Sequence, residues 1–165
     1  MNGLQVILQA VPTMIGKGEI MDFEIYTDGS CRGNPGPGGY GAIIVDNLED
    51  KEYIIKGGVK HTTNNIMELT AIIEALEPFK GSGAEIKLYS DSQYCIKGIT
   101  EWMKGWVKRG WKNAAKKPVA NKELWIKYLE VSDGLTMHYE WVKAHNGHPM
   151  NERVDQIAFA EASKF

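Results

Sequence analysis

The chain has 165 residues, enough for one domain with a hydrophobic core. Its 43% apolar and 24% charged residues are ordinary for a soluble globule, and no run of 18 apolar residues marks a membrane span. The net charge of −2 gives no hint of nucleic acid, but it is unevenly placed: residues 101–127 carry +6 and the remainder −8, which implies a basic patch beside an acidic site.

Residues 1–20 hold scattered apolar side chains from Leu4 to Ile15, with neither a basic leader nor a small-residue cleavage site. A secretory signal is therefore not expected. The segment reads as an appendage to a domain spanning 21–165, with Met21 as a candidate alternative start. Cys31 and Cys95 have no metal-type spacing, so free thiols in a reducing cytosol are expected.

Phe23 and Ile25 alternate with Glu24 and Tyr26, the period of a strand packed on one face. The strand closes on Thr27-Asp28-Gly29-Ser30. A carboxylate at the C-terminal end of a strand lies where open α/β sheets place ligands, although Asp-Gly is also an ordinary turn signal. The run from Gly29 to Gly41 is turn-rich. Gly36, Gly38 and Gly41 match a dinucleotide fingerprint literally, but the strand-like Ala42-Ile43-Ile44-Val45, rich in β-branched residues, follows where that motif needs a helix. These glycines are expected to allow positive φ and close approach of a bulky ligand, with a plain hairpin connection as the alternative.

Strands are expected at about 39–46 and 51–59, completing an antiparallel meander. Thr62-Thr63-Asn64-Asn65 supplies N-cap residues for a helix reaching about Leu76, with Ile66, Leu69, Ile73 and Leu76 as its core stripe. Glu68 is flanked by Ala71, Ile72 and Ala75 without a nearby cation, which is unusual for a solvated surface acid; favouring the helix dipole is the plainer reading. Glu85 to Asp91 repeats the opening pattern and again closes on an aspartate. A helix between two strands implies a crossover and parallel pairing, so Asp28 and Asp91 should sit at one sheet edge. Two carboxylates there repel unless a cation lies between them.

Ser92 to Ile99 reads as a helix. The following stretch interleaves Trp102, Trp106 and Trp111 with lysines and Arg109, as in surfaces where rings pack on sugars and cations meet phosphates; a satellite cluster under a solvated basic face is the alternative. A helix is expected at 121–129 and a last strand at 135–142. His145 and His148 lie in a Gly/Pro loop with no cysteine nearby, which argues against zinc and for proton shuttling. The final helix should start at about Asn151, with Asp155 either complementing its dipole or projecting toward the sheet edge.

Asp28, Glu68, Asp91 and Asp155 together form a carboxylate constellation suited to two hard divalent cations, the clamp used for in-line displacement at phosphorus. No serine or cysteine nucleophile with a partnering base is evident, so activated water fits better than covalent catalysis. Thr27-Asp28-Gly29-Ser30-Cys31 with Gly33 to Gly41, Thr62 to Leu69, Asp91-Ser92-Gln93-Tyr94, and Gly147-His148 followed by Asn151, Glu152 and Asp155 resemble type 1 ribonuclease H of the bacterial form over residues 22–163.

The resemblance implies an α/β fold with a mixed five-stranded sheet, three antiparallel strands followed by two parallel to the first, flanked by helices. It implies an endoribonuclease that hydrolyses the RNA strand of RNA–DNA hybrids without sequence preference, leaving 3′-hydroxyl and 5′-phosphate ends. Two Mg²⁺ ions per site are implied, with Mn²⁺ able to substitute. Asp28 would bridge both ions; Asp155 would complete one site; Glu68 and Asp91 would complete the other, with Glu68 also near a ribose 2′-hydroxyl. His145 would assist proton movement and product departure.

Substrate contacts implied in the same way are Cys31, Asn34, Asn64, Asn65 and Gln93 along the hybrid minor groove. Trp102 and Trp106 would meet the DNA sugars, Thr63 and Asn121 a DNA phosphate, and Lys108 within a basic protrusion spanning 104–117. A cytoplasmic monomer without an obligatory protein partner or membrane attachment is expected, in primer removal or R-loop clearance. Three features depart from the family: His61 stands where an arginine often completes the phosphate pocket, residues 1–20 have no counterpart, and the chain ends soon after the last helix. A non-catalytic hybrid-binding module and a transposase- or integrase-like nuclease of the same fold are the competing readings.

Overall fold

The alternation that opens at Phe23 produces the central strand of the sheet, β1 (Phe23–Cys31). In the computed structural model, which describes residues 21–144 and 146–165, Phe23 and Ile25 point into the main core, whereas Tyr26 packs with Ile43 and Val154 on the opposite face. β1 pairs antiparallel with β2 (Gly36–Asp46), which pairs antiparallel with β3 (Lys51–Thr62). β1 also pairs in parallel with β4 (Glu85–Ser90), and β4 in parallel with β5 (Thr136–Trp141). The order β3-β2-β1-β4-β5 is the mixed sheet expected from the sequence.

Helix α1 (Asn64–Leu76) connects β3 to β4 and lies against β1 and β2. The Thr63 hydroxyl caps it by accepting from the Ile66 amide at 3.2 Å. Its buried face is broader than the expected stripe: Met67, Ala71, Ile72 and Ala75 are buried along with Leu69, Ile73 and Leu76, and Ile66 is only half-buried. Alanines at 71 and 75 let the helix seat closely, so the whole flank on either side of Glu68 is covered.

Helix α2 (Gln93–Lys97) starts under a Ser92 cap, widens into a π-type turn over Gly98–Trp102, and resumes as α3 (Met103–Lys108). The helix and the separate aromatic stretch expected from the sequence are thus one helical run from Gln93 to Lys108. The continuity depends on Gly98, where a Cβ would lie 2.3 Å from the buried ring of Trp125. Helix α4 (Lys122–Ser132) begins one residue later than expected and runs three residues further. Asn121 precedes it in a left-handed conformation (φ +59°), which asparagine tolerates better than most residues.

The positive φ expected in the glycine run is found at Gly33 (φ +71°), but the strand glycines serve a different purpose. Gly36, Gly38, Gly39 and Gly41 lie on β2, and their conformations are not positive-φ. A Cβ at Gly39 would meet the Ala158 carbonyl at 2.3 Å, and one at Gly41 would meet Ile157 at 2.7 Å. Both residues belong to α5 (Pro149–Ala162), so the absent side chains make room for this helix rather than for a ligand. The hairpin alternative holds, and β1 and β2 pair as far as Cys31 and Gly38.

Helix α5 starts at Pro149, two residues earlier than expected. His148 caps it, its Nδ1 accepting from the Asn151 amide at 3.3 Å, and proline at the first helical position lacks only an amide that would be unpaired anyway. Residues 1–20 lie outside the described residues. Among the described residues, no helix is long and apolar enough to cross a membrane.

Candidate active site

The β1–β4 ladder ends at the parallel pair Thr27–Ser90, where β4 stops; β1 does not close at Asp28 as expected but runs on to Cys31, because β2 continues to pair with it. Asp28 and Asp91 each follow the last residue of the β1–β4 ladder, so the two carboxylates occupy one rim of the sheet as the alternation implied. Asp28 is 2% exposed, while Asp91 is half-buried. Glu68 reaches the same point from the second turn of α1. Asp28, Glu68 and Asp91 each offer an oxygen within 4.8 Å of the other two.

Gly29 makes this approach possible. A Cβ there would lie 2.4 Å from the Glu68 backbone nitrogen, so only glycine lets α1 come this near to β1. The Gly29 amide then donates to Asp28 Oδ1 and Glu68 Oε1, both at 2.8 Å. One backbone donor thus orients two of the three acids.

Burial first, and then the charge of Asp91, push the Asp28 carboxyl up to about 8; interaction with the Asp155 carboxyl raises it further. Burial also holds Glu68 well above the ordinary glutamate range, with the charges of Asp28 and Asp91 adding to it. Asp91 is raised mainly by burial, although hydrogen bonding to Asp28 and Glu68 opposes the shift. Burial and mutual repulsion thus favour a retained proton in the group, one that a bound cation would displace.

Asp155 lies two turns into α5, behind Glu152 in the first turn, so complementing the helix N-terminus is not its role. Its carboxyl is close enough to Asp28 to raise that group by hydrogen bonding and by charge, and its charge also reaches Asp91. It stands outside the tight group of three, next to Asp28. His145 lies outside the described residues.

The donor set fits a hard divalent cation. Among the described residues, Asp28 Oδ2 and Asp91 Oδ1 are buried with no hydrogen-bond partner, which is costly for carboxylate oxygens and is relieved by a metal ligand bond. All three close donors are carboxylates, with no thiol or imidazole among them.

The other predicted residues fall into two groups. Around the β1–β2 turn, Asn34 Oδ1 accepts from the Asn64 amide at 2.9 Å, and the Cys31 thiol donates to the carbonyls of Gly36 (3.5 Å) and Thr62 (3.4 Å). Asn34, Asn64, Asn65 and Gln93 are exposed, and both cysteines are free thiols. Beyond α2, the rings form a connected series. Trp102 is 38% exposed and lies 5.9 Å from Trp106, which lies 5.2 Å from the fully buried Trp125. Trp106 and Trp111 are partly buried and pack against the main core, while Trp102 and Lys108 are exposed.

Asn121 Nδ2 donates to the Tyr94 hydroxyl at 3.1 Å, which also accepts from Trp125 Nε1 at 3.1 Å. No hydrogen bond among the described residues joins Asn121 to Thr63, whose hydroxyl is occupied in capping. The reading of the sequence missed the Gly29 amide and the Tyr94 hydroxyl. A backbone donor leaves no mark in a sequence, but the tyrosine directly follows Gln93 and was within reach of the motif.

The family model for RNase H matches residues 21–163. A ribonuclease H of Bradyrhizobium sp. (strain ORS 278) is 53% identical over 140 residues, covering 85% of this chain and 89% of that protein. A ribonuclease HI of Pseudomonas syringae pv. tomato is 53% identical over 135 residues, covering 82% and 88%. Among solved structures, LC9-RNase H1, described as a type 1 RNase H with the type 2 active-site motif, superposes with a TM-score of 0.78 at 28% identity, covering 90% of this chain and 75% of that one. LC11-RNase H1 in complex with an RNA/DNA hybrid gives 0.64 at 26% identity, covering 86% and 97%.

Proposed function

Because the chain belongs to the RNase H family, a ribonuclease H acting on RNA–DNA hybrids, we propose that it cleaves the RNA strand at the acidic rim with two divalent cations, leaving 3′-hydroxyl and 5′-phosphate ends. The observation that carries this reading is a pair of buried oxygens, Asp28 Oδ2 and Asp91 Oδ1, without partners among the described residues and within a group of three carboxylates.

Asp28, as the central acid, would be shared between both ions. Asp155 beside it would complete one site, and Glu68 and Asp91 the other. When bound, Mg²⁺, with Mn²⁺ able to substitute, supplies an acidified water and stabilises charge on the leaving oxygen. Gly29 keeps Asp28 and Glu68 in place through its amide, and Glu68 would also meet a ribose 2′-hydroxyl. His145 would carry protons and aid product departure.

Asn34, Asn64, Asn65, Gln93 and the Cys31 backbone would follow the minor groove, where 2′-hydroxyls on one strand distinguish RNA from DNA. Trp102 and Trp106 would pack on DNA sugars, Thr63 and Asn121 would grip a DNA phosphate beside exposed His61, and Lys108 would meet the backbone. None of these contacts reads bases, so cleavage is sequence-independent. The catalytic domain is 21–165, acting in the cytoplasm as a monomer.

The test is an end-labelled RNA–DNA hybrid set against matched single-stranded RNA and duplex DNA, with Mg²⁺ or with chelator. Cleavage confined to the hybrid RNA strand and dependent on Mg²⁺ is expected. Hybrid binding without turnover in either Mg²⁺ or Mn²⁺, or cleavage of duplex DNA ends, would contradict the proposal.

A further inference from the structure

We propose that Trp141 is a positioning residue for Asp91, its indole N–H holding the backbone that aims this carboxylate at the divalent cation. The inference rests on the reading of Asp91 as a metal-holding acid. Of the three close acids, Asp91 alone stands outside regular structure. Asp28 lies within the β1–β2 ladder and Glu68 within a capped helix, whereas β4 ends at Ser90 and α2 begins at Gln93. Among the described residues Asp91 Oδ1 is buried and unpartnered, and the side chains that interact with this carboxylate are the acids Asp28 and Glu68 rather than a fixed donor. Its direction therefore follows from the peptide that carries it.

That peptide is held at three points. The Val142 amide donates to the Ser90 carbonyl at 2.9 Å, the Ser92 amide donates to Ser90 Oγ at 3.0 Å, and Trp141 Nε1 donates to the Asp91 carbonyl at 2.9 Å. Only the last is made by a side chain reaching across from another strand. Trp141 is the parallel partner of Ser90, so its ring comes from the end of β5 beside the turn. The ring is 42% exposed, so burial alone gives little reason for an indole there. Its polar edge, however, meets the one carbonyl next to the metal-facing carboxylate. Losing that donor frees the Asp91 peptide to rotate and loosens a group whose oxygens lie within 4.8 Å of one another.

The test compares Trp141→Phe, which keeps an aromatic ring and deletes the N–H, with Trp141→His, whose Nε2 occupies the ring position of the indole nitrogen. Mg²⁺ is titrated into the substrate-free full chain by calorimetry, and hydrolysis is followed against Mg²⁺ and hybrid concentration. Trp141→Phe is expected to weaken Mg²⁺ binding and raise its half-saturation about three- to tenfold, the scale of one hydrogen bond, while KM for the hybrid stays within about twofold. Trp141→His should recover most of the loss at pH 8. Wild-type Mg²⁺ binding in Trp141→Phe, or an equal deficit in both variants, would overturn the role of Trp141. Asp91→Asn separates the two levels. If it loses Mg²⁺ binding and cleavage while Trp141→Phe matches wild type, only the tryptophan's role falls; if it retains both, the reading of Asp91 falls with it.

Discussion

A carboxyl that is 2% exposed and crowded by other acids binds its proton more tightly in the folded chain than in the unfolded one. For Asp28 the ordinary value of 3.8 rises to about 8. The folded state then holds more protons than the unfolded state across that interval, so this contribution to stability is complete below about pH 4 and is lost as pH rises through about 8. Metal-free protein should accordingly show a falling denaturation midpoint between pH 5 and 9 in urea with chelator, a slope that saturating Mg²⁺ flattens. Asp28→Asn removes the titrating group: at pH 9 in chelator it should be more stable than wild type by a few kcal/mol, with the gap closing toward pH 4. The same variant should lose about 10³-fold or more in hydrolysis, because it withdraws the acid assigned to both cations. A more stable but inactive protein separates a functional acid from a structural one.

Elements set how near these acids can come, and two substitutions isolate that contribution. Gly29→Ala places a methyl 2.4 Å from the backbone of α1, so the helix must retreat from β1. It should cost roughly 2–3 kcal/mol in denaturant unfolding and should lower kcat sharply even in material that stays folded, since Glu68 retreats with its helix. In the aromatic segment, Trp102 and Trp106 are neighbours with different burial. Trp102→Ala should raise KM roughly three- to tenfold with little change in melting temperature. Trp106→Ala should also lower the melting temperature, since its ring packs 5.2 Å from Trp125. Equal stability losses would remove the distinction between them.

Most elements were legible because the physics that forms them is local. Alternating apolar residues marked β1 and β4, although β1 runs past its aspartate to Cys31, and Thr63 marked the start of α1. The π-type turn at Gly98 and the strand glycines Gly39 and Gly41 were not legible, because each answers to a residue far away in the chain: Trp125, Ala158 or Ile157. A sequence shows that side chains are missing, but not what fills the space.

On the scale of the whole molecule, charge is divided between an acidic rim and a basic segment, +6 over residues 101–127 against −8 elsewhere. If Lys104, Lys108 and Lys112 meet phosphates, changing all three to glutamine should reduce the salt dependence of KM, lowering the log–log slope by about 2–3, while kcat at saturating hybrid stays unchanged. The four acids were readable as a set because sheet topology follows from the order of strands and helices, and that order puts strand ends together. The support around them was not readable: a bifurcated backbone amide at Gly29 and an indole at Asp91 depend on distances that only the folded chain defines.

The convergence of Asp28, Glu68, Asp91 and Asp155 on bound cations is tested most directly by Mn²⁺ as a paramagnetic probe. In amide spectra of the full chain, substoichiometric Mn²⁺ should broaden the resonances of Asp28, Gly29, Glu68, Asp91 and Asp155 first, and Asp28→Asn should abolish that pattern. Broadening centred elsewhere, or an unchanged pattern in Asp28→Asn, would contradict the account.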